Sequence, residues 1–162
     1  MAFLDFFKKK EEGFTVYAPV AGKVVPLSDV PDPVFAEGIM GKGIAIEPSD
    51  GKIYAPLDGT VTTLFPTGHA VGLTTKEGAE LLIHIGMDTV KLEGKCFEKK
   101  VTDGAEVKKG DLLIEVDLDG VKEAGYPTIT PIVVCDPKEY VNIEIKAEGQ
   151  VAAGDELCFF KK

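Results

Sequence analysis

The 162 residues are 44% hydrophobic, with a formal charge of −9 and an isoelectric point near 4.7. That length suffices for one domain burying roughly two thirds of its unfolded surface. The acidic balance excludes the basic footprint of a nucleic-acid binder and suits a surface that meets basic partners, and no run reaches the ~20 apolar residues of a membrane span.

In chain order, Met1-Ala2-Phe3-Leu4-Asp5-Phe6-Phe7 precedes Lys8-Lys9-Lys10. Lysines after the apolar cluster are the wrong order for a secretory signal. Residues 1–13 are expected to be a flexible N-terminal segment. Phe3, Leu4, Phe6 and Phe7 offer the competing reading of a short amphipathic helix on a membrane surface. Residues 14–162 then read as a single domain, since no linker or composition shift divides them.

Two internal echoes set the architecture. Tyr17-Ala18-Pro19-Val20-Ala21-Gly22-Lys23-Val24 returns as Tyr54-Ala55-Pro56-Leu57-Asp58-Gly59-Thr60-Val61. Val107-Lys108-Lys109-Gly110-Asp111 returns as Val151-Ala152-Ala153-Gly154-Asp155. Each is a run of strand formers closed by a turn signal. Further strands are expected over 43–46, 69–74, 81–85, 112–116, 129–134 and 141–145. Helix is confined to Asp117–Ala124 and Pro137–Tyr140. The spacing predicts an all-β fold with little helix, a sandwich or barrel. Cys96, Cys135 and Cys158 have no Cys-x-x-Cys spacing, so three reduced, partly buried thiols in a cytoplasmic protein are expected.

Only two histidines occur, His69 in Thr67-Gly68-His69-Ala70 and His84 in Leu81-Leu82-Ile83-His84-Ile85-Gly86. Histidine supplies a neutral nitrogen nucleophile near neutral pH. The pleat sends Leu81, Ile83 and Ile85 to the core, and Leu82 and His84 to the outer face. There the Gly86 carbonyl can hold one ring nitrogen of His84 and leave the other for attack on phosphorus. Period two puts His69 on the face of Val71 and Leu73 and half-buries it. Thr67 is placed to set the His69 tautomer, and the pair reads as a phosphoryl-accepting site.

Three other readings stay open on residues alone. His69, His84 and Asp88 offer three zinc ligands, although His-x-His and His-Glu-x-x-His spacings are missing. A biotinyl or lipoyl carrier would share the echoes but needs a carrier lysine, as in Met-Lys-Met, which the chain lacks. The Pro/Gly-rich segment 29–41, with Val34, Phe35, Ile39 and Met40, reads as a plug over the core or as a partner-facing patch. Pattern favours the plug.

Taken together, Asp29-Val30-Pro31-Asp32, Val34-Phe35, Gly41-Lys42-Gly43, Ala55-Pro56, Thr67-Gly68-His69, Leu81 to Val90 and Thr130-Pro131 are similar to a known family. From about Phe14 to Lys162 the chain resembles the glucose-type enzyme IIA component of the bacterial phosphoenolpyruvate-dependent sugar phosphotransferase system. The resemblance implies an antiparallel β-sandwich or barrel-like hybrid with a duplicated motif. It implies that His84 accepts a phosphoryl group on Nε2 from the phosphocarrier protein HPr and passes it to a cysteine of a IIB sugar-transporter domain. His69 would steady that group, Thr67 would orient His69, and Gly86 would hold His84. Val34, Phe35, Ile39, Met40, Phe65, Leu82 and Val90 would form an apolar ring for docking, with Asp32 and Asp88 meeting basic partner side chains. No cofactor is implied, and zinc at His69 and His84 would be adventitious or bridged by a partner. The unphosphorylated form would also bind sugar-uptake proteins. A free-standing cytoplasmic monomer is the simplest expectation. Lys91 departs from the acid that some members carry there.

Overall fold

The computed structural model describes residues 12–162. Expectations for the first eleven residues, including the apolar face of Phe3 to Phe7, lie outside it. Strands run β1 (Gly13–Tyr17), β2 (Gly22–Val25), β3 (Lys42–Pro48), β4 (Lys52–Tyr54), β5 (Gly59–Leu64), β6 (Ala70–Thr75) and β7 (Glu80–His84). They continue as β8 (Phe97–Lys99), β9 (Glu106–Val107), β10 (Leu112–Val116), β11 (Thr130–Asp136), β12 (Asn142–Ile145), β13 (Gly149–Val151) and β14 (Glu156–Lys161).

Every strand pairing is antiparallel. One eight-stranded sheet has the order β13-β2-β3-β11-β7-β6-β5-β9, and two three-stranded sheets have the orders β1-β14-β12 and β4-β10-β8. Residues from all three meet in one core, with Phe14 and Phe160 from β1 and β14, Ile53 and Ile114 from β4 and β10, and Leu73, Ile83 and Ile132 from β6, β7 and β11. The Phe14 and Phe160 rings stack at 5.4 Å. Alternation in β7 is as the pleat requires: Leu81 and Ile83 are buried while Leu82 and His84 are half-buried on the other face.

The echoes occupy equivalent places. Asp111 accepts a hydrogen bond from the Lys108 N–H, and Asp155 one from the Ala152 N–H, both at 2.8 Å. These carboxylates close the turns that link β9 to β10 and β13 to β14, because aspartate can replace a backbone acceptor within a tight turn. Each turn then clasps the Ala-Pro unit of an earlier echo. Ala55 donates to the Asp111 carbonyl and Ala18 to the Asp155 carbonyl, while Gly110 and Gly154 donate back to Ala55 and Ala18. The two Ala-Pro units also bond to each other, Tyr17 to Pro56 and Tyr54 to Pro19. The duplication read from sequence is therefore a pair of interlocked half-motifs.

One helix expectation holds and one does not. Leu118–Glu123 is helical, with the Asp117 carboxylate accepting from the Gly120 N–H at its start. Pro137–Tyr140 is a turn instead. Tyr140 donates to the Pro137 carbonyl, and Lys138 sits at φ 53°, a left-handed conformation that stops a helix from propagating. The thiols also diverge from expectation. Cys96 is half-buried, Cys135 exposed and Cys158 buried, and burial pushes the Cys158 thiol up to about 12.

A second, smaller apolar cluster lies on the opposite face of the central strands. Ala45 of β3, Val133 of β11 and Met87 are covered by Val30 and Phe35, with Leu27, Met40 and Leu82 at the margin. The cover is the segment between β2 and β3. Its Asp32 carboxylate accepts from the Val34 N–H at 3.0 Å, and Pro33 occupies the first helical position of the turn Pro33–Ala36. Proline is preformed for that position and its missing N–H is not needed there. A Met40 N–H to Val34 carbonyl bond of 2.9 Å closes the loop.

Candidate functional site

His84 ends β7 beside that second cluster, and His69 stands just before β6. The cross-strand partner of His84 is Ala70, and Ile85 donates to the His69 carbonyl at 2.7 Å. Strict period two would turn His69 toward the core side with Val71 and Leu73. It does not go there, because β6 begins at Ala70 and the pleat has no hold on the residue before it. Gly68, at φ 74°, turns the chain sharply, and the His69 ring swings over the sheet end toward His84. The two ring centroids are 5.1 Å apart and the planes nearly perpendicular at 81°. His69 is buried rather than half-buried, with 4% of its surface exposed.

Each ring is gripped by Nδ1. The His84 Nδ1–H donates to the Gly86 carbonyl at 2.8 Å, which leaves the Nε2 lone pair for chemistry. The Thr67 hydroxyl bonds to His69 Nδ1, and a hydroxyl donating there keeps the proton on Nε2. The arrangement thus sets a nucleophilic nitrogen next to a neutral donor. Phe35 lies 5.2 Å from the His84 ring and Phe65 5.3 Å from that of His69, so aromatic walls limit both imidazoles.

Burial holds both rings neutral. His69 is lowered to about 4, first by desolvation and then by repulsion from His84. His84 is lowered by desolvation too, against the opposing pull of the Gly86 carbonyl and of Asp32 and Asp88. A stability effect follows, and its sign is definite. An unfolded histidine titrates near 6.5, so as pH falls from about 6.5 to about 4 the unfolded chain binds a proton that folded His69 refuses. Stability is lost across that window and is unaffected by this group above it. His69→Gln is expected to show a shallower loss on acidification than the parent, checked by urea unfolding at about pH 7 and about pH 5.

Gly86 cannot be another residue without cost. It has φ 74°, and a Cβ there would lie 2.6 Å from the Pro127 carbonyl oxygen and 2.7 Å from the Thr89 methyl. Pro127 and Thr89 were not singled out from sequence. Thr89 is fully buried and donates to the Ile85 carbonyl at 2.6 Å, and the Pro127 carbonyl accepts from Met87. The only available signal was a threonine inside an otherwise apolar and charged stretch.

The expected docking residues divide. Val34, Ile39 and Val90 are exposed, at 37%, 70% and 51%, while Met40, Phe65 and Leu82 are half-buried around the rings. Phe35 is buried, with 3% exposed, so it belongs to the plug that pattern favoured and not to a docking surface. A phenyl ring in that position contributes more by covering Val133 and Met87 than by waiting for a partner. Asp88 is exposed at φ 60°, and Asp32, half-buried, already caps its helical turn. Lys91 is exposed beside Val90. The histidines therefore open onto a mostly apolar shelf. A cleft of about 430 Å³ lined by Asp58, Thr75, Lys76 and Glu106 lies at the other end of β6. Ile39→Asp should leave stability within about 0.5 kcal/mol, whereas Phe35→Ala should cost about 3 kcal/mol, a contrast that thermal unfolding reads directly.

Among the described residues no group of three potential metal ligands from His, Cys, Asp and Glu forms, so the two imidazoles would supply at most half of a tetrahedral zinc shell. No described helix is long and apolar enough to cross a membrane.

Comparison with known proteins adds independent findings. Residues 14–140 match the family described as phosphoenolpyruvate-dependent sugar phosphotransferase system, EIIA 1. The chain is 50% identical over 149 residues to the PTS system beta-glucoside-specific EIIBCA component of Halalkalibacterium halodurans, covering 92% of this chain and 23% of that protein. It is 49% identical over 143 residues to the protein of the same description from Dickeya chrysanthemi, covering 88% and 23%. The chain thus spans about a quarter of the length of these relatives. Among solved structures it is similar to the glucose permease IIA from Mycoplasma capricolum, at 40% identity and a TM-score of 0.87, covering 91% of this chain and 96% of that one.

Proposed function

Because the chain belongs to the phosphoenolpyruvate-dependent sugar phosphotransferase system EIIA 1 family, we propose that His84 Nε2 carries a phosphoryl group from phosphorylated HPr to a cysteine of a IIB domain in a sugar transporter. The reading rests on one observation above all. His84 has Nδ1–H committed to the Gly86 carbonyl while its ring stands 5.1 Å from a buried, neutral His69.

The chemistry is an in-line displacement that needs positioning and charge stabilisation more than covalent assistance. The Nε2 lone pair of His84 attacks phosphorus as the N–P bond of the HPr phosphohistidine breaks, and that bond's electrons return to the HPr ring. In the second step a cysteine thiolate of IIB attacks the same phosphorus. An S–P bond forms, the N–P bond to His84 breaks, and its electron pair goes back to Nε2. No proton leaves His84 in either step, since the Nδ1 proton stays on the ring and keeps donating to the Gly86 carbonyl. The His69 Nε2–H donates to a phosphoryl oxygen, where a fixed donor in a desolvated place is most effective. The equatorial oxygens carry the charge, so metal and cofactor are not needed for this scheme.

The shelf of Val34, Ile39, Met40, Phe65, Leu82 and Val90 excludes water from the transfer zone and is where both partners dock. Asp32 and Asp88 attract basic side chains at its rim. Addition of roughly −1.5 to −2 charge to this mostly apolar face changes which partner fits, so the unphosphorylated form is the one that binds uptake proteins. The IIB recipient is supported by relatives whose EIIBCA description combines IIA with IIB and IIC. The site of action is the cytoplasm, where IIB presents its cysteine.

Incubation with phosphoenolpyruvate, enzyme I and HPr should attach one acid-labile phosphoryl group per chain. Absence of label under conditions that phosphorylate HPr would overturn the proposal. Ile39→Asp should raise the KM for phosphorylated HPr about tenfold while leaving the folded state unchanged.

A further inference from the structure

We infer that Thr89 is a positioning residue for His84, its buried hydroxyl fixing the turn whose Gly86 carbonyl holds the imidazole. The inference rests on His84 Nε2 being the phosphoryl acceptor, and it concerns how that nitrogen is aimed.

Two peptide planes decide where the Gly86 carbonyl points. The Gly86 carbonyl shares its plane with the Met87 N–H, and in a trans peptide the two point in opposite directions. Met87 donates to the Pro127 carbonyl at 3.1 Å, which turns the Gly86 oxygen toward His84. The preceding plane holds the Ile85 carbonyl and the Gly86 N–H. Its carbonyl accepts from the Thr89 hydroxyl at 2.6 Å. With both planes held, the left-handed φ of 74° at Gly86 is set from two sides.

Glycine otherwise roams freely between positive and negative φ, so a Gly-centred turn needs such external restraint. The Thr89 methyl also bars a side chain from this turn, since a Cβ on Gly86 would lie 2.7 Å from it. The side chain is fully buried, so bulk water does not compete with its hydroxyl for the Ile85 carbonyl. The same turn reaches His69, because Ile85 donates to the His69 carbonyl at 2.7 Å. Thr89 thus holds the carbonyl of Ile85, a residue whose own N–H, in the preceding peptide, is tied to the His69 segment.

The test compares Thr89→Val, Thr89→Ala and Thr89→Ser. Nitrogen-15 NMR of the imidazoles reads the tautomer of His84, and single-turnover labelling by phosphorylated HPr reads its reactivity. In the parent and in Thr89→Ser, His84 is expected as one Nδ1–H tautomer. In the hydroxyl-free variants it should become a mixture of tautomers, with labelling slowed about tenfold or more, comparable to the loss when a hydrogen bond orienting a metal-ligating histidine is removed. A folded hydroxyl-free variant with parental tautomer and labelling rate would overturn the inference. So would failure of both Val and Ala variants to fold while Ser folds, since the hydroxyl would then be a general structural bond. If the tautomer follows the hydroxyl but no chain is ever labelled, the positioning role stands and the phosphoryl-carrier reading falls.

Discussion

His84→Ala should take up no acid-labile phosphate from phosphorylated HPr, while the parent is fully labelled. The side chain is half-buried at the end of β7, and its loss exposes part of Phe35 without opening the main core. Stability is therefore expected to fall by only about 1–2 kcal/mol, and the variant should keep a parental amide spectrum. No other imidazole takes over. His69 has Nδ1 tied to Thr67, is 4% exposed, and stands behind Phe65. Neither β-sheet thiol is placed to substitute, because Cys158 lies in the core on β14 and Cys135 on β11 beside the start of β7, the end away from His84. Full labelling of the variant would place the acceptor elsewhere and sink the assignment.

His69→Gln should separate acceptance from delivery. Glutamine retains an N–H donor but not the rigid placement of an imidazole between Thr67 and His84. Loading from HPr is expected to persist, with onward transfer to IIB slower by about 10²–10³, the cost of removing one oriented donor from a developing anion. A chase of preloaded protein with IIB measures it. Parental delivery would remove His69 from the mechanism and leave it as a packing residue. The same substitution that slows delivery should flatten the acid-side loss of stability, because both effects come from a buried ring held neutral down to about 4.

Much of this was legible without coordinates, and for identifiable reasons. The alternation Leu81, Ile83 against Leu82, His84 is a period-two signal, and the pleat turns it directly into inner and outer faces. The two echoes carried their turn residues with them. Asp111 and Asp155 close their loops by the same local bond to a residue three earlier, a contact that spacing alone predicts. The expected shelf was legible in part. Val34 and Ile39 are exposed as the family resemblance implied, and Phe35 is buried as hydrophobic pattern implied. Neither source alone divided the segment, because exposure there depends on which side of a four-residue turn each residue falls.

His69 marks the limit of pattern. Period two half-buries it on the face of Val71 and Leu73, but the rule holds only for residues inside the ladder, and β6 starts one residue later. Pro137 to Tyr140 failed for a related reason: local composition allowed a helix, and a left-handed Lys138 ended it. Thr89 and Pro127 were invisible because their importance lies in which peptide they touch. Pro127 acts through a carbonyl, a group every residue possesses, and no side-chain pattern can flag it.

By itself the order of residues determined the strand-rich class, the inward face of each clear strand, the duplicated turns and the two histidines proposed as the site. These are local properties, settled by the pleat, by turn chemistry and by which residues can act as nucleophiles. Tertiary structure decided that the two rings meet at 5.1 Å, that one is buried and neutral, and that a hydroxyl and a proline carbonyl bond to the turn beside the other. Those depend on strand ends and peptide orientations brought together from distant parts of the chain, and distance in space is not written in distance along it.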